Sequence, residues 1–262
     1  MSATLPNITI DTREEFQHLS LAPVAEAVID LRAVATENFD EKSALNHLTP
    51  LLEGYRYLDS HQEVQIKQHL NLQGEAPPPL EHTLTWKGLR FTTNEGNKIA
   101  QFGRTGFSFS RLAPYDQWEM FFDEAMKLWG IYRLLAKPEE ITRLGLRFIN
   151  KIDLKPGDGD FERYLNSAPK PPKGLSLPFL GFLHQETFAA PPHPYAVTLV
   201  RTIQEPQEPG AGFSIIVDID VFTHFVRNFS EDLIPKMLQE MRWLKNRVFF
   251  GSISEAALED LK

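Results

Sequence analysis

The amino-acid sequence predicts an α+β protein in which two consecutive β-α-β-β-β-α units form one or two largely antiparallel sheets covered by amphipathic helices. Three observations predict this class. Segments with apolar residues at every second position alternate with segments in which they recur at every third or fourth position. Proline clusters separate these segments, because a proline cannot donate to the ladder of a sheet. The order of elements occurs twice, over about 24–136 and 141–250, within a single domain of residues 1–262.

The first unit is predicted to contain four strands and two helices. The turn signal Glu95-Gly96-Asn97 joins its last two strands as a hairpin. Its second helix has the clearest helical pattern, and Asp116 is expected to cap it with Glu119 in the reciprocal capping-box position. The predicted ranges are strands over 24–34, 62–72, 80–93 and 98–112, a helix from 40 or 41 to 53, and the second helix from 116 to 136.

The second unit repeats this order of elements. A long strand over 141–154 is followed by a short helix over 160–166 and by three further strands. Ser230 is expected to cap a second amphipathic helix, and Ser252 with Glu255 would open a short final helix. The three further strands are predicted over 179–188, 195–203 and 213–222.

The composition excludes several classes of protein. The chain contains no cysteine, which rules out disulfides, thiolate metal sites, iron–sulfur clusters and cysteine nucleophiles. Its 27 basic and 35 acidic residues give a net charge of −8, which disfavours a protein that coats nucleic acid or an anionic membrane. The first residues lack the basic and apolar regions of a signal peptide, and no apolar run approaches the ~20 residues that span a bilayer. We therefore expect a soluble cytoplasmic protein without a membrane partner.

The common motifs of catalysis and cofactor binding are missing. The sequence has no Walker A loop, no Gly-x-Gly-x-x-Gly fingerprint, no Gly-x-Ser-x-Gly elbow and no His-Glu-x-x-His pair. Gly103-Arg-Thr-Gly106 lies within a strand pattern and indicates a β-bulge rather than a phosphate-binding loop. The histidines lack metal-ligand spacing, and Arg242, Lys245 and Arg247 are explained as charges that complement the dipole near a helix end. We therefore expect no metal and no cofactor, and a binding protein is favoured over an enzyme.

Charged residues interrupt the predicted strands at positions that share a face. Arg143 and Arg147 share one face of the strand over 141–154, and Asp218 and Asp220 share a face of a later strand, because side chains two apart point the same way. Three interpretations stay open. In the first, the faces are solvated or the charges form cross-strand pairs that fix the register. In the second, they present a protein-binding face. In the third, they line a polar groove whose arginines take phosphate or carboxylate and whose aspartates hold a divalent cation. The candidate ligand-binding residues are Glu26, Arg111, Arg143, Arg147, Asn150, Asp218 and Asp220, with Asn150 on the face of its strand opposite the two arginines.

Four phrases of the sequence together resemble one protein family. They are Ala-Pro-Val-Ala-Glu-Ala-Val at 22–28, Phe-Ser-Arg-Leu-Ala-Pro-Tyr at 109–115 with Trp118, Arg-Leu-Gly-Leu-Arg-Phe-Ile-Asn at 143–150, and Asn-Arg-Val-Phe-Phe at 246–250 with Ile253. From about 20 to 260, the chain resembles a sporadically distributed family of uncharacterised prokaryotic proteins of similar length. That family has no established reaction, cofactor or catalytic residue, so the resemblance implies a single-module cytoplasmic protein and no activity. Its patchy distribution suggests accessory roles such as defence or toxin neutralisation.

Two functions are weighed from the sequence. The first is non-catalytic recognition of another protein or of a second copy of this chain, because no catalytic constellation is visible and the long amphipathic helices could pair between protomers. An acidic antitoxin or immunity protein would suit a basic partner. The alternative is an enzyme or sensor that binds a phosphorylated small molecule or a nucleotide in the groove of arginines and aspartates. Nucleic-acid binding is the least favoured function.

Overall fold

The computed structural model describes residues 7–67, 81–174, 181–206, 212–226 and 232–262. They form nine strands, four α-helices and one 3-10 turn at Phe161–Arg163. The strands are β1 Val24–Ala33, β2 Tyr55–Lys67, β3 Glu81–Thr93, β4 Lys98–Gly103, β5 Gly106–Leu112, β6 Ile141–Asp153, β7 Leu183–Ala189, β8 Ala196–Gln204 and β9 Ser214–Val226. The helices are α1 Glu41–Leu48, α2 Trp118–Ala136, α3 Leu233–Ser252 and α4 Glu255–Asp260.

All nine described strands join one antiparallel sheet in the order β2-β3-β4-β5-β1-β6-β9-β8-β7. The first strands of the two predicted units, β1 and β6, pair with each other inside the sheet, and the other strands of each unit extend towards opposite edges. The prediction of an α+β protein with an antiparallel sheet is confirmed. The internal duplication stays a prediction, because one side has five described strands and the other four, and a 3-10 turn stands in the second unit where the first has α1.

The alternation of side chains gives the sheet two chemically different faces. On β1, Ala27, Ile29 and Leu31 are fully buried, whereas Glu26 and Asp30 at the alternate positions keep some exposure. On the buried face, α1 contacts β3, α2 contacts β5, and α3 contacts β6, β8 and β9. The opposite face, called the open face below, carries Glu26, Asp30, Arg143, Arg147, Asp218 and Asp220.

Aromatic side chains of α2 form a large part of the core. Trp118, Phe121 and Tyr132 are buried, as their spacing along the helix predicts. Phe121 stacks on Phe109 of β5 with ring centroids 5.5 Å apart. The buried Tyr132 hydroxyl donates a hydrogen bond to the carbonyl oxygen of Ala33 at 3.3 Å, which ties α2 to the end of β1. The contact of Phe121 lies in the first turn of α2 and so positions the loop that precedes the helix, where part of the candidate site lies.

The range predicted as one strand over 98–112 is two strands. β4 and β5 are joined by a two-residue turn between Gly103 and Gly106, so the expected bulge is wrong. Gly106 has a φ of 147°, and a Cβ there would meet the carbonyl oxygen of Leu31 on the neighbouring strand. Both the backbone conformation and the close approach of β1 therefore require glycine at this turn.

The ends of the C-terminal helices also differ from the prediction. α3 continues through Ser252, whose hydroxyl donates to a carbonyl oxygen of its own helix, so Ser252 does not cap the next helix. Ser254 caps α4 instead, with its hydroxyl oxygen accepting from the Ala257 N–H at 3.2 Å. Ser230 and the predicted strand positions 68–72, 80 and 179–180 lie outside the described residues.

Candidate functional site

The structure divides the seven candidate residues between the two faces of the sheet. Five of them lie on the open face, on the adjacent strands β1, β6 and β9: Glu26, Arg143, Arg147, Asp218 and Asp220. Arg111 and Asn150 are buried on the opposite face, as the alternation along β6 predicts for Asn150. The seven residues therefore do not line a single groove.

Arg143 is the centre of an ion-pair cluster on the open face. Its Nη1 donates to Asp30, and its Nη2 donates to Oδ2 of Asp220 at 2.6 Å. The guanidinium also lies 5.3 Å from the centroid of the Phe222 ring. Gly145 leaves the space that this group fills, since a Cβ there would overlap Nη1 of Arg143. Burial raises the pKa of the Asp220 carboxyl above its ordinary value, although Arg143 acts in the other direction.

Arg147 forms a second cluster with Asp218. Two parallel hydrogen bonds join them, from Nε to Oδ1 at 2.8 Å and from Nη2 to Oδ2 at 2.5 Å. This fork geometry is the strong form of an arginine–carboxylate contact. The hydrogen bonding with Asp218, together with the negative charges of Asp220 and Glu26, raises the pKa of the Arg147 guanidinium. The Arg147 side chain is 48% exposed, so solvent screening limits the contribution of this pair to about 1 kcal/mol.

Both candidate arginines of the open face, Arg143 and Arg147, are thus paired with carboxylates of this chain. An incoming phosphate would have to displace Asp218 from Arg147, or Asp30 or Asp220 from Arg143. The arrangement can hold neighbouring strands in register, because each pair joins two strands. Within the described ranges, no group of three or more His, Asp or Glu side chains is arranged to hold a metal ion. Use of this cluster as a ligand groove stays a prediction.

The two candidates on the buried face have structural partners. Arg111 donates from Nη2 to Oδ2 of Asp116 at 2.6 Å. Asp116 therefore does not cap α2, whose N-cap is Gln117 without a capping hydrogen bond from its side chain, and the predicted cap is wrong. Asn150 donates from Nδ2 to the carbonyl oxygen of Val217 on β9 at 2.9 Å.

A cavity of about 530 Å³ lies on the buried side of the sheet. Its walls are α3, the N-terminal segment 12–24 and the loop 115–119 that leads into α2, and Phe148 and Asn150 of β6 also line it. The volume falls within the range of about 300–1,000 Å³ that is usual for small-molecule sites. The α3 residues that line the cavity are Gln239, Arg242, Trp243, Lys245, Asn246, Phe249 and Phe250.

Lys245 of α3 places an amine in this cavity. Its side chain is half-buried, and Nζ lies 4.1 Å from the centroid of the Phe148 ring. In the part of the chain that the structure describes, no carboxylate pairs with this amine and no atom accepts a hydrogen bond from it. Burial lowers the pKa of Lys245 to about 7, with a further contribution from the positive charge of Arg242. The amine is therefore present both as a cation and as a neutral nucleophile near pH 7.

Two carboxylates of the cavity wall, Glu119 and Glu14, have other partners. Oε1 of Glu119 lies 3.4 Å from Nη1 of Arg242. Glu14 accepts a hydrogen bond from Nε1 of Trp243 at 2.7 Å. Because these carboxylates have other partners, the amine has no described counter-ion within the cavity. The chemistry that the site offers is a cation for an anionic ligand and an amine for a carbonyl compound.

The sequence did not single out Lys245 as a site residue. It was grouped with Arg242 and Arg247 as a charge near the end of a helix, and this interpretation is wrong because the last turn of α3 has no basic residue. The available signal is the spacing along the helix. Lys245 follows Met241 by four residues and Leu238 by seven, which places it on the buried stripe of α3. A lysine in such a stripe predicts a partly buried amine.

Comparisons with known proteins leave the identity of the chain open. Neither a protein-family model nor a curated protein matches it. The resemblance to a sporadically distributed prokaryotic family therefore stays a prediction. Among the helices that the structure describes, none combines the length and the apolar character needed to cross a membrane.

Proposed function

We propose that the protein is a non-catalytic binding protein that holds a small organic anion in the cavity beside α3. The observation that carries this proposal is the Lys245 amine, which lies in a cavity of about 530 Å³ with no described carboxylate beside it. Removing a cation from water without a counter-ion is costly, and a ligand carboxylate would reduce that cost. The resulting charge-assisted hydrogen bond would be stronger than one between neutral groups.

The lining of the cavity indicates what the rest of the ligand resembles. Phe148, Tyr115 and Phe249 contribute aromatic surface, while Asn150 and Asn246 contribute amides. The walls also carry charged side chains of both signs, so the cavity suits a ligand that combines an apolar body with a polar group. We therefore propose a monocarboxylate with an aromatic or aliphatic body as the ligand class.

Benzoate is the direct probe of this proposal. At pH 6 the Lys245 amine is mostly protonated, because its pKa is about 7. Calorimetric titration at this pH should show saturable binding, and Tm should rise with benzoate concentration because a ligand of the folded state stabilises it. Lys245→Met should abolish both effects. Lys236→Met, which removes an exposed lysine earlier on α3, should leave both unchanged.

Two results would contradict the proposal. One is the absence of any change in Tm at millimolar benzoate in the unaltered protein. The other is equal benzoate affinity in the unaltered protein and in Lys245→Met, since binding would then occur away from this amine. Raising the pH from 6 to 9 should weaken binding, because the amine loses its proton as the pH passes about 7.

The other functions considered from the sequence stay predictions. We favour the cavity over the groove of arginines and aspartates because Arg143 and Arg147 already pair with carboxylates, whereas Lys245 pairs with none among the described residues. No contact among the described residues favours a protein partner or a second copy of the chain. The cytoplasmic location is likewise supported by no contact. The accessory role in defence or toxin neutralisation rests on the family resemblance alone.

A further inference from the structure

We infer that Lys245 is a reactive amine that captures small aldehydes in the cavity as a reversible imine. The inference rests on the same cavity as the proposed function, but it concerns the neutral form of the amine rather than the charged one. It assigns to the site a second class of ligand, a carbonyl compound with an aromatic or aliphatic body. Desolvated lysines without a counter-ion are the usual nucleophiles of this reaction in proteins.

The geometry leaves the amine free to react. Nζ lies over the face of the Phe148 ring, 4.1 Å from its centroid, and no described atom accepts a hydrogen bond from it. The cavity of about 530 Å³ has room for a molecule the size of benzaldehyde next to Nζ. No described residue forms an ion pair with the amine, so an incoming carbonyl group displaces no counter-ion.

Charged and titratable groups face Lys245 from three elements. On α3 itself, Arg242 disfavours a second positive charge nearby. The N-terminal segment contributes Arg13, Glu14, Glu15 and His18 to the cavity, and the loop before α2 contributes Tyr115, Asp116 and Glu119. The residues of β6 that line the cavity, Phe148 and Asn150, carry no charge.

The carboxylates among these groups do not stabilise the protonated amine. Glu14 accepts a hydrogen bond from a tryptophan, and Asp116 accepts one from Arg111. Glu119 lies beside the guanidinium of Arg242, and Glu15 is exposed to solvent. Burial therefore dominates the environment of the amine and lowers the pKa of Lys245 to about 7.

The reaction needs no component besides the aldehyde. The lone pair of the neutral Nζ adds to the carbonyl carbon, and a proton moves from nitrogen to oxygen to give a carbinolamine. The C–O bond then breaks, and the oxygen leaves as water with the second N–H proton as the C=N bond forms. Nothing is oxidised or reduced, and hydrolysis of the imine returns the amine and the aldehyde.

Benzaldehyde with sodium cyanoborohydride tests the inference, because reduction converts the imine into a stable benzylamine that peptide mass spectrometry can locate. At pH 7 about half of the Lys245 amine is neutral, whereas about one in 2,500 exposed lysine amines is neutral at a pKa of about 10.4. Because the intrinsic nucleophilicity of an amine falls with its pKa, we expect Lys245 to be modified about 30 times faster than Lys236, the exposed lysine on the same helix.

The controls separate this inference from the proposed function. Benzaldehyde carries no charge, so its capture does not depend on anion binding. Benzoate binding without a Lys245 adduct would overturn the inference of imine formation and leave the proposed function in place. An adduct without benzoate binding would overturn the proposed function and leave the inference in place. Modification of Lys245 and Lys236 at equal rates would also overturn the inference. Lys245→Arg should remove the adduct while keeping the positive charge. If that variant does not fold, peptide mass spectrometry of the unaltered protein still shows whether Lys245 carries the benzylamine.

Discussion

Replacing Lys245 by methionine should make the protein more stable at acidic and neutral pH. In the folded state burial lowers the pKa of the amine to about 7, against an ordinary value of 10.5. At about 1.4 kcal/mol per pH unit, this difference corresponds to about 5 kcal/mol of destabilisation when the lysine is protonated in both states. The folded-state pKa reflects all contacts of the ammonium, so nothing further is added for the Phe148 ring. We therefore expect Lys245→Met to raise the free energy of unfolding by up to about 5 kcal/mol at pH 6.

The gain should disappear as the pH rises. Below pH 7 the lysine is protonated in both the folded and the unfolded protein, so the full cost is present. Between pH 7 and about 10.5 the unfolded state binds more protons at this residue than the folded state, and the stability contributed at this residue therefore rises with pH. Above this window the amine is neutral in both states. The difference between the two proteins then reduces to the packing of the two side chains.

Denaturant titration at pH 6, 8 and 10 measures both the size of the gain and its pH dependence. Lys236→Met is the matched control, because Lys236 is exposed on the same helix and its replacement should change the free energy of unfolding by less than about 0.5 kcal/mol at each pH. A Lys245→Met variant that is less stable than the unaltered protein at pH 6 would refute the reasoning. So would a gain of equal size at pH 6 and pH 10, because the effect would then not come from the charge.

Two further substitutions test the open face. Gly145→Ala should lower the free energy of unfolding by about 1–3 kcal/mol, because the added Cβ overlaps the Arg143 guanidinium. Denaturant titration measures this loss. Gly130→Ala on α2 is the control, because its added Cβ meets no atom within 4 Å and should not destabilise the protein. Arg147→Ala should lower Tm slightly, by no more than about 1 kcal/mol of stability, because its pair with Asp218 is exposed to solvent. A loss of 3 kcal/mol or more in Arg147→Ala would show instead that this pair is essential for the strand register.

The strands and helices whose apolar residues recur with a clear period were predictable from local sequence. The strand predicted over 141–154 is β6, and the helix predicted from 116 to 136 differs from α2 by two residues at its start. The turn between β4 and β5 did leave a signal in the sequence. Phe102 and Phe107 are buried on the same face although they are five residues apart, so the alternation of apolar residues changes phase at the turn, and the prediction of one strand over 98–112 did not use that change.

The candidate site was predictable only as far as local alternation reaches. The two-residue alternation of side chains along a strand correctly predicted Arg143 and Arg147 on one face of β6 and Asn150 on the other. It did not show that β6 pairs with β1 on one side and β9 on the other, which is what brings Asp30 and Asp220 to the same guanidinium. Strand order depends on contacts between distant parts of the chain, and no local pattern contains it.

The cavity was beyond sequence reasoning for the same reason. Its walls come from 12–24, 115–119, β6 and α3, which are far apart in the chain. Asp116 illustrates the difficulty, because an aspartate before a helix is suited to capping and equally suited to an ion pair. Its partner Arg111 lies five residues away on β5, and Asp116 accepts from Nη2 of this buried guanidinium rather than from the helix terminus.

The contrast between the two clusters of charge is the reason to place function in the cavity. The open-face arginines follow the general requirement that partly buried charges have partners, so the stability of the sheet is a sufficient explanation for them. Lys245 departs from that requirement among the described residues, although a methionine would continue the apolar stripe of Met241 and Leu238 at lower free energy. Departures of this kind, in a cavity and with a perturbed pKa, are expected where a residue serves a ligand rather than the fold. The amine of Lys245 is therefore a charged group whose position the packing of the protein does not explain.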